Sequence, residues 1–96
     1  MQDEKKDFTL LGFVLASHYR TKIIMTLDEK ASTPKQLAKS TNLRIGHVSN
    51  VLKRLGGKGL TECVNAEAKR GRIYRLTDEG KKVFEMMRKL GLDETH

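Results

Sequence analysis

The sequence predicts a mainly α protein with one small β-hairpin, an α+β class. Three observations predict it. Apolar residues recur at i, i+3, i+4 and i+7 in separate segments, the period of a helix with one buried face. Two short runs rich in Thr, Val, Ile and Tyr, residues 60–65 and 72–77, flank a loop containing Gly71, the pattern of a hairpin. Helix start and stop residues sit at the edges of the periodic segments: Thr33-Pro34, Thr77-Asp78 and Gly56-Gly57. At 96 residues the chain is expected to form one domain, 1–96.

Each element has its own reason. Residues 8–16, FTLLGFVLA, are apolar nearly all round, which predicts a short helix buried on most sides, with Asp7 as its N-cap. A core helix and a dimer interface both fit that composition. Ser17 can cap a second helix whose stripe is Tyr19, Ile23, Ile24 and Leu27. Ala31 and Ser32 can make a very short strand. Thr33-Pro34-Lys35-Gln36 is a capping box with proline at the first helical position. The short helix that follows buries Leu37 and Ala38 and runs to about Ser40. Thr41-Asn42-Leu43 breaks it, because Asn42 tolerates the left-handed conformation and Leu43 plugs the turn. A longer helix over 45–55 buries Val48, Val51, Leu52 and Leu55, and Gly56, Gly57 and Gly59 end it. After the hairpin, Thr77 with Asp78 and Glu79 starts a last helix over 78–90, its acids at the positive end of the helix dipole. Val83, Phe84, Met87 and Leu90 form its stripe, and the tail GLDETH is expected to fray.

Charge is concentrated in the middle of the chain. The net charge is +7, yet residues 35–75 hold ten Lys or Arg against only Glu62 and Glu67. The other 55 residues are nearly neutral, with nine cations and ten acids. An excess localised in this way implies an anionic partner. Its densest part is AEAKRGRIYRLT, residues 66–77, where Lys69, Arg70, Arg72 and Arg75 crowd the hairpin tip. Like charges repel, so folding gains nothing from them; a polyanion facing the tip would. Arg75 alternates with Tyr74 and Leu76, so bracing the hairpin is an equal reading for it. Tyr74 is read as core beneath the hairpin.

Two helices joined by a tight turn, 33–55, make a helix-turn-helix, and a basic hairpin, 60–77, follows directly. The run TPKQLAKSTNLRIGHVSNVLKRLGGKGL, then KRGRIYRLTDEGKKV, resembles the winged helix-turn-helix transcription regulators, most like small archaeal and bacterial members near the ArsR and MarR types. The resemblance covers roughly residues 17–85. It implies a homodimeric regulator of double-stranded DNA, with helix 45–55 in the major groove and the hairpin as the wing. Arg44, Gly46 and His47 would then sit nearest base edges, followed by Ser49, Asn50, Lys53 and Arg54. Asn can pair bidentately with adenine and Arg with guanine. Thr33, Lys35 and Gln36, at a helix N-terminus, would meet a phosphate. Lys69, Arg70 and Arg72 would lie on phosphates or enter the minor groove. The apolar first helix and the Met86-Met87 region of the last would supply the dimer contact. The long terminal helices and ligand clefts of MarR-type dimers are missing, so no effector is implied.

Other classes find little support. His18, His47 and His96 are far apart, none with a Ser or Cys at catalytic spacing, so no enzyme is expected. Gly56-Gly57-Lys58-Gly59 lacks the Lys-Ser/Thr of a phosphate loop and reads as a helix stop. Cys63 stands alone, too few thiols for a metal site, so no cofactor or metal is expected. It reads as a small hydrophobe, or as a redox or intersubunit thiol. No apolar run nears the roughly 18 residues of a membrane span, and MQDEKKD is not a secretory leader. A single cysteine suits a reducing compartment, so the cytoplasm is expected. The rival function is a winged-helix module that binds protein or RNA within a transcription or ribonucleoprotein assembly.

Overall fold

The computed structural model describes residues 2–92. Its elements run α1 (Gln2–Leu15), α2 (His18–Glu29), α3 (Pro34–Thr41), α4 (Ile45–Gly57), β1 (Thr61–Cys63), β2 (Tyr74–Leu76) and α5 (Asp78–Lys89). All five helices feed one core. Val14 of α1, Ile23 and Ile24 of α2, Leu37 of α3, Val48 and Leu55 of α4, Leu60 and the Val83 and Met87 side chains of α5 are fully buried in it.

The start signals hold where they are local. Thr33 Oγ1 accepts the Gln36 N–H at 3.1 Å, and Gln36 Oε1 accepts the Thr33 N–H at 2.9 Å, closing both halves of the capping box. Asn42 ends α3 at φ 59°, ψ 33°. Ser17 caps α2 and Thr77 caps α5 through its hydroxyl to the Gly80 N–H. The expected short strand is one residue of pairing: Ser32 bridges Tyr74, with N–H···O distances of 3.0 and 2.8 Å. That bridge ties the entry of the helix-turn-helix to the hairpin.

Several expectations need correction. Asp7 is not an N-cap, because α1 begins at Gln2. The residues before Asp7 are mostly charged and carry no signal that would start the helix at Asp7. Nor is α1 buried on most sides. Leu10, Leu11 and Val14 are inside, while Phe8 is 60% and Leu15 40% exposed. Tyr19 drops out of the α2 stripe, being 43% exposed, and Leu90, past the end of α5, is 59% exposed. Met87 belongs to the core and only Met86 is half-exposed. Helix α4 runs through Gly56 and Gly57, and the stop falls at Gly59, φ 76°, with Leu60 N–H on the Leu55 carbonyl at 2.9 Å. Of the tail, Gly91 and Leu92 make a turn; residues 93–96 lie outside the described residues.

The hairpin ladder is shorter than 60–65 and 72–77. Its register pairs Thr61 with Leu76, Glu62 with Arg75 and Cys63 with Tyr74. One further bond joins Val64 N–H to the Ile73 carbonyl at 2.8 Å. Beyond it the Asn65 side chain replaces the ladder, accepting the Ile73 N–H at 2.7 Å and donating to the Gly71 carbonyl at 3.1 Å. Among the described residues no helix is long and apolar enough to cross a membrane.

Candidate nucleic-acid interface

Helix α4 divides its residues by angle. Val48, Val51, Leu52 and Leu55 face the core. Gly46, Ser49, Asn50 and Lys53, spaced i, i+3, i+4, i+7, form the exposed stripe opposite. His47 and Arg54 lie on one flank of that stripe, and Ile45 on the other. All seven are exposed. Arg44 is the N-cap of α4, yet its side chain makes no cap bond, and no acid stands in the first turn. The leading amides and the dipole of α4 are therefore available to an anion.

The Ile45 flank faces the hairpin. There the start of α3, the start of α4 and the hairpin loop enclose a cleft of about 340 Å³ lined by Thr33, Pro34, Lys35, Ile45, Lys69, Gly71, Arg72 and Tyr74. These segments are distant in sequence, and three cations line the cleft without a carboxylate. Among the described residues, no ion pair involves Lys35, Arg44, Lys53, Arg54, Lys69, Arg70 or Arg72.

Individual roles are narrower than residue type suggests. Pro34 has no N–H and the Gln36 amide is held by Thr33, so the α3 turn offers an anion chiefly the Lys35 amide and ammonium. Thr33 and Gln36 keep the turn in shape, and the Thr33 hydroxyl and Gln36 amide each retain a donor. Lys69 and Arg70 are fully at the surface of the loop. Arg72 is braced by its own loop, Nε donating to the Ala68 carbonyl at 2.8 Å. Arg75 braces the hairpin: it pairs with Glu62 across the strands at 2.8 Å, and both side chains are exposed enough that the pair adds little stability. Cys63 is half-buried, its thiol 3.5 Å from Asn65 Oδ1.

Sequence reasoning missed three residues. Ile45 is 54% exposed at the cleft mouth; its offset from the stripe of Val48, Val51 and Leu55 is the signal that could have found it. Asn65 organises the loop, and nothing local distinguishes it from any turn asparagine. Tyr19 stacks on His47, ring centroids 5.5 Å apart, a contact between elements that no sequence pattern encodes.

The sequence matches no protein-family model and no curated protein. Solved structures match closely in shape. The AntR antimony-specific transcriptional repressor superposes with a TM-score of 0.76 at 25% identity, over 96% of this chain and 79% of that one. MarR from E. coli, in its apo form, gives 0.71 at 29% identity, over 92% and 69%; a mutant of it has been solved with operator DNA. This chain has the winged helix-turn-helix fold of the ArsR- and MarR-type regulators it resembles. The fold is also that of the homodimeric DNA-binding domain of a possible ArsR-family regulator from Mycobacterium bovis, with TM-score 0.72 and 20% identity over 97% and 84% of the chains. In a winged helix-turn-helix, α3 and α4 are the paired helices and the β1–β2 hairpin is the wing. Among the proteins it resembles are a transcriptional repressor and a MarR family transcription regulator.

Proposed function

We propose that this winged helix-turn-helix chain regulates transcription by binding double-stranded DNA as a cytoplasmic homodimer. Helix α4 enters the major groove with Gly46, Ser49, Asn50 and Lys53 toward base edges, and Arg44, His47 and Arg54 beside them. Gly46 lets the backbone come close, and Ile45 can meet a thymine methyl. The Lys35 turn, with Thr33 and Gln36, takes a backbone phosphate. Lys69, Arg70 and Arg72 follow phosphates past the cleft or reach into the minor groove. The observation that carries this reading is the cleft itself, where Lys35, Lys69 and Arg72 converge from separate segments with no acid among them. Uncompensated charge of one sign favours a polyanion, and released counterions supply the affinity.

The dimer reading rests on apolar surface left in solvent. Phe8 and Leu15 of α1, with Leu90 and Leu92 beyond α5, are all more than one-third exposed. A two-fold axis between such faces would set the two α4 helices about 34 Å apart, one turn of DNA. Sedimentation showing a monomer at micromolar concentration sinks this part.

Fluorescence anisotropy with mixed-sequence duplex across a salt series tests the whole. We expect steep weakening with salt, with a slope corresponding to about four to eight phosphates. The pair Lys69→Ala and Arg70→Ala should lower that slope by about two, close to one for each charge. Negligible binding at low salt would turn the basic surface toward RNA or protein instead.

A further inference from the structure

Tyr19 opens α2, outside both the helix-turn-helix and the wing. On a helix that buries Ile23, Ile24 and Leu27, its ring is left in solvent and stacks on His47, which is also exposed. The planes lie 24° from parallel. A stack between two surface rings adds little to a core that neither enters. The platform beneath Tyr19, however, is held firmly. The Ser17 hydroxyl accepts the Arg20 N–H at 3.3 Å. The Arg20 guanidinium lies over the Phe13 ring at 3.9 Å and donates to the Phe13 carbonyl at 2.6 Å. The Thr21 hydroxyl donates to the Val14 carbonyl at 3.2 Å. These bonds lock the first turn of α2 to the end of α1.

His47 sits in the first turn of α4, on the flank of the exposed stripe that faces α2. A free surface histidine samples several rotamers. Stacked on a fixed partner, it presents one edge of the imidazole. We propose that Tyr19 is a positioning residue for sequence recognition: it holds the His47 ring so that an imidazole N–H meets a purine N7 in the major groove. The proposal rests on the DNA-binding reading above, and extends the recognition surface to a helix outside the helix-turn-helix.

The test uses two duplexes, one enriched from a random pool by the wild-type protein and one of mixed sequence. Tyr19→Ala and His47→Ala should each weaken the enriched duplex by about two- to tenfold, the range an aromatic pair supplies, and Tyr19→Ala should leave the mixed duplex nearly unchanged. The double variant should bind no worse than His47→Ala. Tyr19→Phe keeps the ring and should match wild type; Tyr19→Leu keeps bulk without a ring and should match Tyr19→Ala. Losses that multiply in the double variant overturn the proposal. So does wild-type binding by Tyr19→Ala, an equal loss on both duplexes, or a wild-type protein that enriches no sequence. A wild-type protein that binds no duplex at all removes the DNA reading as well, whereas normal selection with Tyr19→Ala unaffected removes this proposal alone.

Discussion

Gly80 closes the run YRLTDEG and is the third residue of α5, fully packed. Replacing it with alanine puts a methyl group against the carbonyl oxygen of Leu60, well inside van der Waals contact, with the Leu60 carbonyl carbon at 3.1 Å and Leu76 Cβ at 3.3 Å. The main obstacle is backbone, which cannot rotate aside as a side-chain end can. The same Leu60 carbonyl accepts the Thr77 N–H at 3.0 Å, the bond that seats the foot of the hairpin on the start of α5. A methyl must therefore push α5 outward or swing that carbonyl off Thr77. Overpacking of this kind costs about 1–3 kcal/mol, and a lost hydrogen bond adds about 1 kcal/mol. Alanine's better helix propensity offsets about 1 kcal/mol. A net loss of about 1–3 kcal/mol corresponds to a Tm lower by roughly 5–20 °C in a domain of this size. Thermal unfolding followed by circular dichroism reads it, with Gly12→Ala in parallel. Gly12 is exposed in α1 and no atom lies within 4 Å of an added Cβ, so alanine there should stabilise by about 0.5–1 kcal/mol. If Gly80→Ala melts at or above wild type while Gly12→Ala behaves as expected, the joint between hairpin and α5 is not the tight contact described.

Two further perturbations separate fold from function and probe acid linkage. Gly46→Ala meets nothing within 4 Å, so its Tm should hold or rise, while duplex affinity falls by on the order of tenfold, about 1.4 kcal/mol, if the α4 backbone approaches DNA closely; unchanged affinity would remove that approach. The Glu79 carboxyl is held above the ordinary carboxylate range, first by the hydrogen bond it can share with the Asp7 carboxyl, then by burial and by repulsion from Asp7. Its Oε2 is buried and has no hydrogen-bond partner. A folded-state pKa raised above the unfolded one stabilises the fold at acid pH, and that contribution is lost as pH rises from the ordinary carboxylate value through the raised one. Asp7→Asn removes the repulsion and brings an N–H donor, so its midpoint should exceed wild type at neutral pH and converge with it below about pH 4. Identical midpoints in urea at neutral pH would mean the pair carries no strain.

Legibility followed the range of the interaction. The capping box at Thr33, the left-handed Asn42, the Thr77 cap and the glycine stop of α4 are settled by atoms within about one helical turn, and all were readable. Membership of a buried stripe was readable only where a partner element covers the whole stripe. Tyr19 and Leu90 have the right spacing but stay outside the core, Tyr19 lying against the exposed His47 ring. The start of α1 was missed because charged helix formers carry no boundary signal of their own. For the candidate interface, the concentration of Lys and Arg between 35 and 75 pointed to the segments that meet at the cleft.

What the sequence determined by itself was therefore the order and type of elements, most of their ends, and a basic middle. Tertiary structure alone decided which cations share a surface. Lys35, Lys69 and Arg72 meet at one cleft because the Ser32–Tyr74 bridge brings the entry of α3 against the hairpin. Arg75 is withdrawn to Glu62, Arg72 is steadied by Ala68, and His47 is held by a tyrosine 28 positions away. Local signals act through bonds made within a few residues. A surface is made by packing, which joins residues according to the path of the chain and not their order along it.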